Sequence, residues 1–151
     1  LSNVLTEIQV QNNQLTSLDV SNCTSLVEFD CSNNQIDTLD LSNTGTSLID
    51  FNCSNNNLVS LDLRNGVWIS LTGPNFVATG NSNLTCVDVD NALWANLYWS
   101  SSVDAGVSFA QQCVGTETYT NSILVDNLGR IVHIRQRIDG SANTLHLSLS
   151  N

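Results

Sequence analysis

The chain of 151 residues contains no lysine, and four arginines stand against fourteen acidic residues, giving a formal charge of −10. That balance excludes a nucleic-acid partner, because nothing here could neutralise a run of phosphates, and it equally excludes docking on an anionic membrane surface. No apolar run approaches the roughly 20 residues a membrane-spanning helix needs. No signal peptide is visible and the sequence starts at Leu1 without a methionine, so it is expected to be the interior or end of a longer precursor. Catalytic signatures are missing as well. The only two histidines, His133 and His146, fall near the end of the chain, and there is no Gly-x-Ser-x-Gly elbow, no HExxH and no phosphate loop. No cofactor and no metal site is expected.

What the chain has in excess is asparagine, and the asparagines are periodic. Residues 26–43 read "LVEFDCSNNQIDTLDLSN" and residues 48–65 read "LIDFNCSNNNLVSLDLRN". Four units align. The first is Ile8, Val10, Asn13, Leu15, Leu18, Val20, Asn22, and the second Phe29, Cys31, Asn34, Ile36, Leu39, Leu41, Asn43. The third is Phe51, Cys53, Asn56, Leu58, Leu61, Leu63, Asn65. The fourth, with one residue inserted, is Phe76, Ala78, Asn81, Leu84, Val87, Val89, Asn91. A period near 21 residues marks a solenoid in which one repeat makes one coil. The two-residue alternations at Phe29/Cys31 and Leu39/Leu41 predict two short strands per coil, each with one buried face. One coil cannot bury its apolar face alone, so the phrase must recur. Asn13, Asn34, Asn56 and Asn81 are expected to stack as an internal ladder. Their side chains carry both a donor and an acceptor and can satisfy backbone groups that the strands cannot reach.

The phrase LxxLxCSNNxLxxLDLSN resembles the leucine-rich repeats of secreted proteins from Bacteroidetes. "LDLRNG", then "NFVATGNSNLTCVDVDN" at 75–91, then Trp99, Asp104, Phe109 and Cys113, resemble the terminal repeat and capping segment of that family. The resemblance implies a mostly β, right-handed leucine-rich-repeat solenoid of about four coils over 1–91, with a C-terminal cap over 92–113. In an extracellular protein of this kind a Cys86–Cys113 disulfide would staple the cap, stabilising it by about 3 kcal/mol or more. Trp99 matches the cap core. Cys31 and Cys53 share one inward position in successive coils and read as small core residues, while Cys23 lies at a coil corner.

Residues 114–151 change character, with three of the four arginines beyond residue 117. Three strands separated by turn clusters are expected over 122–151. Asp126-Asn-Leu-Gly129-Arg130-Ile-Val132 and Leu145-His-Leu147-Ser148 resemble part of the β-sandwich sorting domain that directs proteins through the type IX secretion system. A proline-bearing opening strand and a closing Gly-x-Tyr stretch, both usual in that domain, are missing. The resemblance implies a secreted or outer-membrane surface location, with the type IX translocon or its outer-membrane shuttle protein as one partner.

For a ligand, the outward face of the first strands offers Gln9, Gln11, Asp30, Ser32, Asn52, Ser54 and Thr79, a flat polar platform suited to an unknown protein or glycan. Trp68 is a candidate exposed contact. Asp19, Asp40, Asp62 and Asp88 also align, and could form either a cation-binding edge or a set of turn acceptors. The function expected is non-enzymatic binding or adhesion. The alternatives are an accessory C-terminal region of a secreted hydrolase, whose catalytic domain lies upstream, or a structural stalk.

Overall fold

A computed structural model describes residues 3–66, 71 and 75–113, together with the backbone of three strands between 118 and 150. The chain divides into two units, 1–113 and 114–151.

The first unit is the solenoid. Its first sheet, A, comprises β1 (Glu7–Gln9), β2 (Glu28–Asp30), β4 (Asp50–Asn52) and β6 (Phe76–Val77), all parallel. Sheet B comprises β3 (Thr38–Asp40), β5 (Ser60–Asp62), β7 (Cys86–Asp88) and β8 (Ser108–Ala110). The register follows the repeat: Ile8, Phe29, Phe51 and Phe76 are successive rungs of A, and Leu39 and Leu61 are rungs of B. Because successive coils place the same side chain one strand apart, the phenylalanines stack, with ring centroids 5.4 and 5.8 Å apart. Each contributes about 1.5–3 kcal/mol by burial.

The expectation of two strands per coil fails in the first coil. Residues 17–19 form no strand, so sheet B starts one coil later than sheet A. Sheet B nevertheless reaches four strands because the cap supplies β8, which pairs with β7 from Cys86↔Ser108 to Asp88↔Ala110. A strand at the open end would have had a neighbour on one side only.

The paired asparagines divide their labour. The first of each pair takes the left-handed backbone conformation that turns the corner: Asn12 (φ 60°), Asn33 (φ 55°) and Asn55 (φ 54°). In the fourth coil Gly80 does this at φ 76°, and a Cβ there would come within 2.3 Å of Asn55 Oδ1. The second asparagine is the ladder. Asn34 Oδ1 accepts from Leu15 N–H, while its Nδ2 donates to the carbonyls of Val10, Cys31 and Ser32. Asn56 repeats this with Ile36 N–H and the carbonyls of Cys31, Cys53 and Ser54. Asn81 accepts from Leu58 N–H and donates to Cys53 and Ala78. Each interior asparagine thus joins two coils and settles groups that would cost about 1–3 kcal/mol apiece if buried unpaired. Asn13 differs: it is exposed, and its side chain donates only to Val10 and Gln11 of its own coil.

The cap closes the other end. Asn91 caps the short helix α1 (Ala92–Tyr98) by accepting from Trp94 N–H. This helix was not anticipated from the sequence. It delivers Trp99, fully buried, onto Phe76 at 4.8 Å, with the indole N–H donated to Leu71 O. Asp104 then accepts from Gly80 and Asn81 N–H with its two carboxylate oxygens, at 2.9 and 2.7 Å. In earlier coils the next coil's carbonyls receive the equivalent amides, as Asn33 N–H to Ser54 O and Asn34 N–H to Asn55 O. A disulfide joins Cys86 to Cys113.

The second unit is a three-stranded antiparallel sheet in the order β11-β10-β9. Its strands are β9 (Thr118–Val125), β10 (Ile131–Ile138) and β11 (Leu145–Ser150). The first strand begins at Thr118, earlier than expected. Among the described residues it forms a single sheet and no second sandwich layer. Asp126, Gly129 and Arg130 lie outside the described residues.

Candidate binding face of sheet A

Alternation along the sheet A strands sends Ile8, Phe29 and Phe51 inward, so the residues on either side face outward. Following each phenylalanine position by one residue gives the row Gln9, Asp30, Asn52, Val77. Preceding it by one residue gives a second row, Glu7, Glu28, Asp50, in register across three strands. All three residues of the second row are exposed. Strands in a sheet lie about 4.8 Å apart, so the two rows make a compact acidic surface. Gln9 Nε2 donates to Glu7. Gln9, Glu28, Asp30 and Asp50, with the edge of Phe29, line a shallow concavity of about 150 Å³.

The acidic row was missed in reading the sequence, although its signal is plain: an acid immediately precedes each inward residue in Glu7-Ile8, Glu28-Phe29 and Asp50-Phe51. The expected platform consists of residues that follow the phenylalanine position. Of these, Gln9 is exposed, and Gln11, Asp30, Asn52 and Thr79 are half-buried. Ser32 and Ser54 are corrected. They are 4% and 8% exposed and do not belong to an open platform. The alternation had been carried one step too far. After Cys31 and Cys53 the chain enters its corner. Asp30 Oδ1 accepts Ser32 N–H and Asn52 Oδ1 accepts Ser54 N–H, while the serine carbonyls receive Asn12 and Asn33 N–H. Trp68 lies outside the described residues.

The aligned aspartates, three of them on sheet B, act as turn acceptors. Asp19, Asp40 and Asp62 each accept the backbone N–H two residues on, from Ser21, Ser42 and Arg64. The hydrogen bonds from Ser21 hold the Asp19 carboxyl below its ordinary range. Burial works against the charge on Asp62, but the paired Arg64 guanidinium and Arg64 N–H outweigh it and leave its pKa lowered. Arg64 also donates to Gln111 O in the cap, and Asp88 accepts Cys113 N–H. Among the described residues no three His, Cys, Asp or Glu side chains are placed to hold a metal ion.

Cys23, Cys31 and Cys53 are free thiols, all fully buried. Burial, with the neighbouring Asp30 charge, pushes the Cys31 thiol up to about 12. Cys53 is raised by burial and by Cys31 beside it. Cys31 and Cys53 are therefore packing groups at neutral pH, not nucleophiles.

No helix among the described residues is long and apolar enough to cross a membrane. No curated protein and no solved structure matches the chain. Residues 4–43 match the family model for leucine-rich repeats, in two copies. The first two coils are thus similar to leucine-rich repeats, and the third and fourth continue their register.

Proposed function

We propose that this chain is a non-enzymatic protein-binding module whose ligand docks on the outward face of sheet A. Leucine-rich repeats commonly mediate protein binding, and no enzyme family is indicated. The observation that carries the reading is the in-register row Glu7, Glu28, Asp50 beside Gln9 and Asp30, exposed on a rigid sheet around a shallow concavity. With its dense negative charge, this face takes a partner that presents arginine or lysine along an extended segment. Such charge pairs steer encounter and fix register more than they add affinity. The binding happens outside the cell, at the surface or after secretion through the type IX route. The sequence phrase at 126–132 supports that location, as does a Cys86–Cys113 bridge, which needs an oxidising compartment.

Selection of random peptides on the immobilised full chain should enrich basic, extended sequences. Binding should weaken at high salt, since screening acts on exposed charges. The triple variant Glu7→Lys, Glu28→Lys, Asp50→Lys, confined to exposed side chains, should lose these peptides while melting within a few degrees of the parent. Enrichment that survives the triple reversal, or no enrichment at all, would discard the sheet A reading. For export, with a signal peptide added ahead of Leu1, a type IX-competent host should secrete the parent chain and retain the Arg130→Ala variant; equal secretion of both would remove the sorting assignment.

A further inference from the structure

The cap treats the two sheets unequally. It seals sheet A: Ala78 N–H, just past β6, donates to Ser102 O, and the Asp104 carboxylate takes the amides of Gly80 and Asn81. Sheet B it extends by one strand, and the far side of that strand is open. Ser108 N–H donates to Thr85 O and Ala110 O accepts from Val89 N–H, so these two residues of β8 face β7. Phe109 lies between them, and the backbone groups of alternate strand residues point to opposite sides. Its side chain is buried against Trp99, while its N–H and C=O point away from β7 and meet no partner among the described residues. Past β8 the described chain turns back across β7 and leaves this edge uncovered. Gln111 O accepts from Arg64, Cys113 N–H donates to Asp88, and Cys113 is bonded to Cys86.

Beside the open edge lies a groove of about 430 Å³, lined by Asn91, Ala92, Leu93, Phe109, Ala110 and Gln111. Its volume falls in the range of ligand pockets, about 300–1,000 Å³. No ionisable side chain lines it, in a chain of formal charge −10. Leu93 on its wall is 82% exposed, and Leu97, one turn further along the same face of α1, is 76% exposed. Neither leucine serves the core, which takes only Ala95 from this helix as a fully buried residue.

We infer that the open edge of β8 and this groove form a second docking site, which receives an extended, uncharged segment of a partner protein as a fifth strand of sheet B. Main-chain bonds to Phe109 N–H and C=O hold the segment, and one of its apolar side chains seats against Ala92, Leu93 and Ala110. That is the division of labour in strand addition: backbone bonds for affinity, a side-chain pocket for specificity. The neutrality of the groove selects the occupant. An acidic segment is repelled by the charge of the molecule, and a basic one is drawn to the carboxylates of sheet A instead. A second copy of this chain carries the same charge of −10 and is disfavoured on that ground. The inference is independent of the sheet A ligand, since it rests on a different sheet, a strand edge and apolar contact.

Selection of displayed random peptides on the full chain at high salt, where the charges of sheet A are screened, tests it. Neutral sequences with alternating β-branched or aromatic residues should be enriched. A synthetic copy of the leading peptide should slow exchange of the Phe109 amide about tenfold or more, the scale of one added backbone hydrogen bond. Leu93→Asp changes an exposed side chain in the first turn of α1, where an acid suits the helix. It should weaken that peptide about tenfold or more and leave the melting temperature of the free chain unchanged. The inference is overturned if no neutral peptide is enriched, if binding leaves Phe109 exchange unchanged, or if Leu93→Asp binds as well as the parent. A dimer of the free chain in which the Phe109 amide is already protected would also overturn it, by making a second copy the occupant.

Discussion

The cap and the open coil solve one problem to different degrees, and the comparison shows what a coil needs beyond its own sequence. Both ends of the array carry the repeat. At the C-terminal end, three unrelated pieces imitate the next coil. Trp99 replaces its phenylalanine, the Asp104 carboxylate replaces its carbonyls, and β8 replaces its second strand. The fourth coil is consequently as dry as the interior. The first coil, which has no coil or imitation on its outer side among the described residues, leaves four apolar residues half-buried and Val4 74% exposed. Burial is thus a property of the junction between coils and not of the phrase itself, as nearest-neighbour stability in repeat arrays requires.

The largest effect that sharpens this contrast is at Trp99. Trp99→Ala removes the ring lying on Phe76, Trp94 and Phe109 and the bond to Leu71 O. It should cost about 3–5 kcal/mol, the usual range for a buried tryptophan or phenylalanine. For a unit of about this size that lowers the melting temperature by about 12 °C or more. Leu5→Ala, at the open end, opens no enclosed cavity and should cost less than about 2 kcal/mol, the transfer of a half-exposed side chain. Thermal and denaturant unfolding of the two variants decide it. Equal losses would mean that the two ends are equally finished and would break the comparison.

Much of this architecture was legible because the repeat is a physical constraint written several times. Identical offsets from Ile8, Phe29 and Phe51, followed from Phe76 with one residue inserted, foretell their alignment, and one asparagine per coil at a fixed place foretells the ladder. The parts that were not legible occur only once. Asp104 looks like any loop aspartate until Gly80 and Asn81 are seen to point their amides at it. The helix from Ala92 to Tyr98 is too short for periodicity to announce it. Ser32 and Ser54 were misplaced because strand alternation was assumed to run through a corner that left-handed Asn33 and Asn55 impose. The acidic row at Glu7, Glu28 and Asp50 is as legible as the ladder, but it precedes each inward residue instead of following it.

A smaller effect, with no change in stability, maps where the array opens. Cys23, Cys31 and Cys53 lie at increasing distance along the chain from the open end, and each is fully buried. Alkylation proceeds through the thiolate, and burial raises the Cys31 thiol to about 12 and raises Cys53 as well. A raised folded-state pKa means that the native protein at pH 8 holds both groups as thiols. Labelling there requires local opening, after which the exposed cysteine regains its ordinary acidity. If the first coil is the weak end, iodoacetamide at pH 8 should modify Cys23 first, then Cys31, then Cys53, as followed by peptide mass analysis. Labelling of Cys53 ahead of Cys31 at pH 8 would place the weak junction on the cap side. The half-buried leucines of the first coil would then be a local feature of exposure, without the loss of cooperativity that an unfinished junction should bring.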